Sequence, residues 1–185
     1  MIKKIIFLGA PGVGKGTLAK KLASEKGLIH ISTGDIFRKE IKQETELGLK
    51  IKSILASGEY VSDDITNQIV KKTIEKPEMQ KNGFILDGYP RTINQAEFLK
   101  KINARINAAL LLDASDQSVA ERIMQRSKAE NRVDDTPEVI NNRIKIYREK
   151  TAPLIDWYKK EKLLVTINAE GTIEENFQKI LGVLY

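Results

Sequence analysis

The segment GAPGVGKGT at residues 9–17 decides the fold of this 185-residue chain. It follows an apolar run at residues 2–8 and precedes an amphipathic run at residues 18–26, an order typical of strand, glycine-rich loop and helix. Glycine lets the backbone curl so that successive N–H groups converge, and the helix start adds the positive end of its dipole. The loop is therefore predicted to bind a chain of phosphates, with Lys15 on the outer ones. An ordinary glycine turn is the alternative, and the flanking strand and helix argue against it.

The loop departs from the usual phosphate-binding pattern at one position. That pattern places Ser or Thr directly after the lysine, where its hydroxyl binds magnesium. Here Gly16 occupies that position and Thr17 is displaced by one residue. We therefore expect magnesium to be held mainly by phosphates and water molecules.

Composition excludes several classes of protein. The chain is 41% hydrophobic and 30% charged, and its length suits one globular domain. No apolar run approaches the roughly 18 residues of a membrane helix, and the N-terminus lacks the pattern of a signal peptide. The absence of cysteine excludes disulfides, thiolate zinc sites and a cysteine nucleophile. These features predict a cytoplasmic protein with no membrane partner. Since no exposed apolar stripe stands out, we expect a monomer.

The formal charge of +6 admits either nucleic acid or a small anionic substrate as a partner. The basic residues are interleaved with Glu and Asp along the chain, which is typical of solvated helix faces, so no nucleic-acid partner is expected. The single histidine, His30, lies in a short β-type run and is predicted to be packed rather than catalytic.

Five apolar runs are predicted to be strands. They are almost continuously apolar, as in strands that are buried on both faces of a parallel sheet. Helical patterns lie between them, so we expect a doubly wound α/β fold with five parallel strands and helices on both faces. Ligands then bind beyond the carboxyl ends of the strands. The runs are residues 2–8, 28–31, 84–86, 108–112 and 163–167.

Two segments depart from this alternation. Residues 32–61 are mostly helical in pattern and exceed what a crossover requires. Residues 126–136 are polar and contain arginine, and they are predicted to form a loop between two helices. Such a loop near a phosphate site is a candidate lid, with a plain surface loop as the alternative.

Charged residues near the predicted strand ends suggest phosphate chemistry. Asp87 ends a buried strand, where an unpaired carboxylate is costly, so it is predicted either to face magnesium or to cap a helix. Arg91 follows a glycine–proline turn and is predicted to contact a phosphate or to form a surface ion pair. Further arginines surround the polar loop, as expected for phosphoryl transfer: Arg122, Arg126, Arg132 and Arg143.

In order and spacing, these motifs resemble those of nucleoside monophosphate kinases, and most closely adenylate kinases with a short lid. The resemblance implies a P-loop fold and reversible, Mg²⁺-dependent phosphoryl transfer from ATP to AMP, giving two ADP. It also implies a core of residues 1–31, 62–125 and 137–185, an NMP-binding subdomain at 32–61 and a lid at 126–136. The landmarks are GAPGVGKGT at 9–17, STGD at 32–35, LDGYPR at 86–91, RVDD at 132–135 and TAPLI at 151–155.

The resemblance also implies roles for individual residues. Asp87 would hold Mg²⁺ through water, and the Gln95 amide would pair with the adenine edge of AMP. The implied catalytic residues are Lys15, Arg91, Arg132 and Arg143. The implied ATP-binding residues are Gly12, Val13, Gly14, Lys15, Gly16, Thr17, Arg122, Arg126 and Ile173. The implied AMP-binding residues are Thr33, Arg38, Glu59, Tyr60, Val61, Gly88, Tyr89, Pro90, Arg91, Gln95, Arg132 and Arg143.

A structural zinc ion is not expected, because the predicted lid is only about eleven residues long and cysteine is absent. The main alternative function is a kinase of the same family that prefers UMP or CMP, for which Thr33 and Gln95 are the discriminating positions. A nucleotide-dependent switch would carry an Asn-Lys-x-Asp guanine motif, which this sequence lacks. A basic nucleic-acid binder would show aromatic residues interleaved with basic ones, and no such segment is present.

Overall fold

The computed structural model describes residues 3–130 and 136–185. Its centre is a parallel five-stranded sheet, as predicted. Each strand lies within one or two residues of its predicted position. The strands are β1 Lys4–Leu8, β2 Ile29–Ser32, β3 Phe84–Asp87, β4 Ala108–Asp113 and β5 Leu164–Asn168. Their order in the sheet, which was not predicted from the sequence, is β2-β3-β1-β4-β5.

The sheet is buried on both faces because successive side chains of a strand point to opposite sides. In β1, Ile5 and Phe7 pack into one hydrophobic cluster, whereas Ile6 and Leu8 pack into the other. This explains why the strands are apolar without interruption.

Helices cover both faces and supply the rest of the core. None of those in the described ranges has the length and apolarity needed to cross a bilayer. A π-helical turn at Tyr147–Thr151 joins two of them. The helices are α1 Lys15–Lys26, α2 Thr33–Lys42, α3 Glu46–Ala56, α4 Asp63–Ile74, α5 Pro77–Asn82, α6 Ile93–Lys101, α7 Asp116–Glu130, α8 Pro137–Ile146, α9 Pro153–Lys160 and α10 Ile173–Leu184.

Residues 32–61 form α2 and α3, which confirms the helical pattern of this segment. They have a small hydrophobic cluster of their own, with Phe37, Ile51 and Val61 at its centre. It is distinct from the two clusters that cover the sheet. The segment is thus packed largely on itself and on the start of α4.

The predicted polar loop at 126–136 is wrong in its first part, because α7 continues to Glu130. Residues 127–130 contain lysine, alanine and glutamate and no Gly or Pro, so nothing in them ends a helix. The rest of the predicted loop, residues 131–135, lies outside the described residues.

Two helix starts later in the chain are as predicted. Thr136 caps α8, and Thr172 forms a capping box with Glu175 at the start of α10.

Candidate active site

The glycine-rich loop connects β1 to α1 at the carboxyl edge of the sheet. Gly9, Gly12 and Gly14 have positive φ angles of 144°, 83° and 105°, which only glycine adopts readily. Among the described residues, no side chain caps the first turn of α1. The N–H groups of that turn therefore have no side-chain cap, an arrangement that suits an anion-binding helix start.

Lys15 begins α1 and turns its ammonium back over the loop. Nζ donates hydrogen bonds to the carbonyls of Gly9 and Ala10, at 2.7 and 3.0 Å. Burial of the ammonium lowers the pKa of Lys15 to about 7, and the positive charges of nearby arginines act in the same direction while Asp87 opposes them. The site is thus rich in positive charge, which favours the binding of a polyanion.

Asp87 ends β3 beside the loop and is 8% exposed. Burial alone raises the pKa of a carboxyl group, but His30 and the charge of Lys15 outweigh it and hold the pKa of Asp87 below its usual value. The Nε2 atom of His30 lies 3.2 Å from Oδ2 of Asp87. Asp87 is therefore a buried, ionised carboxylate next to the phosphate loop, and the helix-cap alternative does not apply, because α6 is capped by Thr92.

His30 is half-buried, in agreement with its predicted packing, but its contact with Asp87 was not foreseen. Both residues lie near the carboxyl ends of strands, which was legible in the sequence. The sequence did not show that β2 and β3 are neighbours, because strand order in a parallel sheet is set by the crossovers.

A cleft of about 550 Å³ opens over the loop. It brings together most of the residues predicted to contact phosphates, including the side chains of five arginines. Fourteen predicted site residues line it: Gly12, Val13, Gly14, Lys15, Gly16, Thr17, Arg38, Asp87, Gly88, Arg91, Arg122, Arg126, Arg143 and Ile173.

Arg122 ties α7 to both sides of this cleft. Its guanidinium donates to the carbonyl of Val13 at 2.8 Å and to that of Ala169 at 2.6 Å. A planar group with several N–H donors can join the two loops in this way, which an ammonium group cannot do with the same geometry. Arg122 therefore supports the walls of the cleft as well as lining it.

Arg91 is held from two directions. Its Nε donates to the carbonyl of Gly88 at 2.8 Å, and its guanidinium carbon lies 5.0 Å from the centre of the Tyr60 ring. The hydroxyl of Thr151 donates to the Arg91 carbonyl at 2.7 Å, so its oxygen accepts the hydroxyl of Tyr60 at 2.6 Å. This role of Thr151 was not predicted from the sequence, although the residue begins the TAPLI run at 151–155.

Among the described residues, the remaining predicted AMP residues lie outside the main cleft. Tyr60 and Pro90 line a small recess next to Arg91 and Arg143. Others are in the interior or on the surface: Thr33, Val61, Tyr89 and Gln95 are buried, and Glu59 is exposed. Arg132 lies outside the described residues.

Two of these buried residues are hydrogen-bonded to the protein. Thr33 donates its hydroxyl to the carbonyl of Gly88 at 2.9 Å. Gln95, which is 2% exposed, accepts the Arg91 N–H at 2.7 Å and donates to Oδ1 of Asp63 at 2.8 Å. A base can therefore reach Gln95 only after the groups that cover it move aside.

Comparison with known proteins decides the family. The family described as Adenylate kinase matches residues 7–163. This chain belongs to the adenylate kinase family. A protein from Mycobacterium sp. (strain MCS) named Adenylate kinase is 46% identical over 181 residues, covering 98% of either chain. Proteins of the same name from Oenococcus oeni and Mycoplasma mobile are 44% and 41% identical and cover 97% and 95% of this chain, and 96% and 94% of their own lengths.

Membership in the adenylate kinase family agrees with the geometry of the cleft. The chain is a phosphotransferase of the nucleoside monophosphate kinase class. Its glycine-rich loop and five arginines line the same cleft.

Proposed function

We propose that this chain transfers the γ-phosphoryl group of ATP reversibly to AMP and so produces two ADP. The observation that carries the proposal is the convergence of the uncapped phosphate loop with Lys15, Arg91 and Arg143 around one cleft. Family membership supports adenine nucleotides as the substrates.

The proposed mechanism relies on positioning and charge rather than on acid–base chemistry. Phosphoryl transfer concentrates negative charge on the oxygens of the moving group, and fixed positive groups stabilise it. We assign the donor phosphates to the loop N–H groups and Lys15, and the acceptor phosphate to Arg91. Arg143 lines the same cleft as Lys15 and its charge acts to lower the pKa of Lys15, which supports our assignment of Arg143 to the moving group. Arg132 is proposed for the same task from family resemblance.

The residues present also fit magnesium. Among the described residues, no group of three or more His, Cys, Asp or Glu could hold a metal ion by itself. Mg²⁺ in phosphoryl-transfer sites is typically held by one or two carboxylates together with phosphates and waters, and Asp87 is one ionised carboxylate beside the loop. When bound, Mg²⁺ would neutralise phosphate charge. Asp87 would orient it through water, and His30 would keep the carboxylate in place.

We assign AMP recognition to the second half of the site. Arg38 lines the cleft at the start of α2, and Thr33 and Gln95 lie behind it. The small separate core of residues 32–61 supports their assignment as a subdomain that moves over AMP. From the family resemblance we also assign residues 126–136 to the lid, with Arg126 carried near the end of α7. Closure would exclude water and so favour transfer over hydrolysis.

Further proposals concern the setting of the reaction. We propose a monomer that works in the cytoplasm without nucleic-acid or membrane partners. The cysteine-free composition and the interleaving of basic with acidic residues support this assignment.

A kinase for UMP or CMP is the second candidate, and the matches to adenylate kinases do not favour it. Turnover by the purified protein with Mg²⁺ and ATP, measured against AMP, UMP, CMP and GMP in parallel, separates the two. We expect turnover with AMP far above the others. Equal or higher turnover with UMP or CMP would replace the substrate.

Lys15→Met tests the assignment of the phosphate loop. The substitution removes the ammonium that turns back over the loop and should abolish transfer while leaving the protein folded. Lys72→Met, which removes an exposed lysine of α4 far from the loop in sequence, serves as the control. Turnover by Lys15→Met comparable to that of the control would refute the assignment.

Gln95→Leu tests the adenine contact. It should raise the KM for AMP more than that for ATP, because only the AMP base loses its hydrogen-bonding partner. An equal rise in both constants would place Gln95 elsewhere in the mechanism.

A further inference from the structure

Three side chains of the first turn of α6 converge on one carboxylate, that of Asp63. Thr92 donates its hydroxyl to Oδ1 at 3.0 Å, Asn94 donates to Oδ2 at 3.0 Å, and Gln95 donates Nε2–H to Oδ1 at 2.8 Å. Asp63 is itself the first residue of α4. The starts of α4 and α6 are thus joined through one carboxylate, which was not among the residues predicted from the sequence.

The bonds to Gln95 have opposite polarity. Its Oε1 accepts the backbone N–H of Arg91 at 2.7 Å, and its Nε2 donates to the Asp63 carboxylate. A backbone N–H can only donate and a carboxylate can only accept. Rotating the amide by 180° would place N–H against N–H and oxygen against oxygen. In a side chain that is 2% exposed, water cannot compensate for these lost bonds.

This arrangement still leaves hydrogen-bonding capacity on the amide. A glutamine amide has two N–H donors and two acceptor lone pairs, of which the protein uses one of each. One N–H and one lone pair therefore remain. Adenine offers a complementary pair, since N1 accepts and N6–H donates. Hypoxanthine has nearly the same shape with the polarity reversed, because O6 accepts and N1–H donates.

We propose that Asp63 is a positioning residue that sets the base specificity of the AMP site by locking the orientation of the Gln95 amide. The proposal rests on the proposed function, in which Gln95 reads the base. With the amide locked, adenine finds its complementary order of acceptor and donor, and hypoxanthine finds both reversed. Without the lock the amide can turn, and the two bases become more nearly equivalent.

The test compares AMP with IMP as the acceptor, using wild type, Asp63→Asn and Asp64→Asn. Asparagine at position 63 offers both an N–H and a carbonyl oxygen, so it no longer opposes a turned amide, and the Arg91 N–H alone still favours the original orientation. We expect the ratio of kcat/KM for AMP to that for IMP to fall about tenfold or more in Asp63→Asn, with little change in the KM for ATP. Asp64→Asn removes the same charge from the same first turn of α4, at the exposed neighbour of Asp63, and should keep the wild-type ratio.

A second comparison asks whether Asp63 acts through Gln95. Asp63→Asn should leave the AMP-to-IMP ratio unchanged when it is introduced into Gln95→Leu, because the amide to be oriented is then gone. Unfolding of each variant by urea is measured alongside, so that a loss of stability is not mistaken for a loss of specificity.

The outcomes separate the two proposals. If wild type does not turn over AMP, the proposed function fails. If wild type turns over AMP and prefers it to IMP, but folded Asp63→Asn keeps the wild-type ratio, the role of Asp63 is refuted. A fall of the same size in the Gln95→Leu background, or in Asp64→Asn, would also refute it.

Discussion

Binding of ATP should take up a proton at Lys15. Burial of the ammonium lowers the pKa of Lys15 from 10.5 to about 7 in the nucleotide-free protein, with nearby arginines adding to the shift and Asp87 opposing it. A triphosphate placed against the ammonium stabilises the charged form and raises this pKa again. The complex then carries more protons than the free protein at any pH between the two pKa values.

The size of the uptake follows from the pKa in the free protein. A group with a pKa of about 7 carries about 0.1 proton at pH 8 and about 0.9 at pH 6. If phosphate keeps Lys15 fully charged in the complex, the uptake is about 0.9 proton at pH 8 and about 0.1 at pH 6. Because the complex binds the extra proton, raising the pH weakens binding, by about fivefold between pH 7 and pH 8 and by nearly tenfold per pH unit above pH 8.

Isothermal titration calorimetry of Mg-ATP without AMP measures this number. The observed enthalpy is plotted against the ionisation enthalpy of the buffer at each pH, and the slope is the number of protons taken up. Lys15→Met is titrated in parallel, since it retains the proton changes of ATP and of the other groups. The difference between the two slopes should be near one proton at pH 8 and small at pH 6. Identical slopes at pH 8 would refute the reasoning.

Four further substitutions test the support of the site by urea unfolding, and kinetics are measured as well for the last two. In Gly12→Ala a Cβ would meet Cγ1 of Ile123 at 2.2 Å and sit at a φ of 83°, so we expect a loss of about 2–4 kcal/mol. In Gly14→Ala, where φ is 105° and a Cβ would meet no atom within 4 Å, the loss of stability should be only about 1–2 kcal/mol. Equal losses in Gly12→Ala and Gly14→Ala would contradict the clash with Ile123. Arg122→Lys should lower the free energy of unfolding by about 1–3 kcal/mol and raise the KM for ATP more than that for AMP. If neither the stability nor the KM for ATP changes, the hydrogen bonds from Arg122 to the two carbonyls are dispensable. Thr172→Ala should cost about 1 kcal/mol through the capping box of α10 without changing kcat, and a fall in kcat would assign it a role in the site.

Local structure was predictable wherever neighbouring residues decide it. The strand–loop–helix unit around residues 9–17, the caps at Thr136 and Thr172 and the two helices of 32–61 all depend on a few adjacent side chains. The end of α7 was predicted too early, because the polarity of residues 126–130 was taken as a sign of a loop. A polar, arginine-containing segment without Gly or Pro is equally suited to an exposed helix.

The contacts between distant segments were beyond the sequence. Placing His30 on Asp87, or Asp63 on Gln95, requires knowing which strands and helix starts are neighbours. Likewise, the sequence predicted that Gln95 faces a base, and only the structure shows that its amide is already held by two protein groups of opposite polarity.

The sequence by itself determined the chemistry of this protein, because a phosphate loop and its lysine are made from consecutive residues whose backbone angles and helix start are local properties. Tertiary structure decided the pKa values of the charged side chains at the site. The lowered pKa of Lys15 and the ionised state of buried Asp87 arise from charges on strands and helices far apart in the chain, brought together as the sheet excludes water around them.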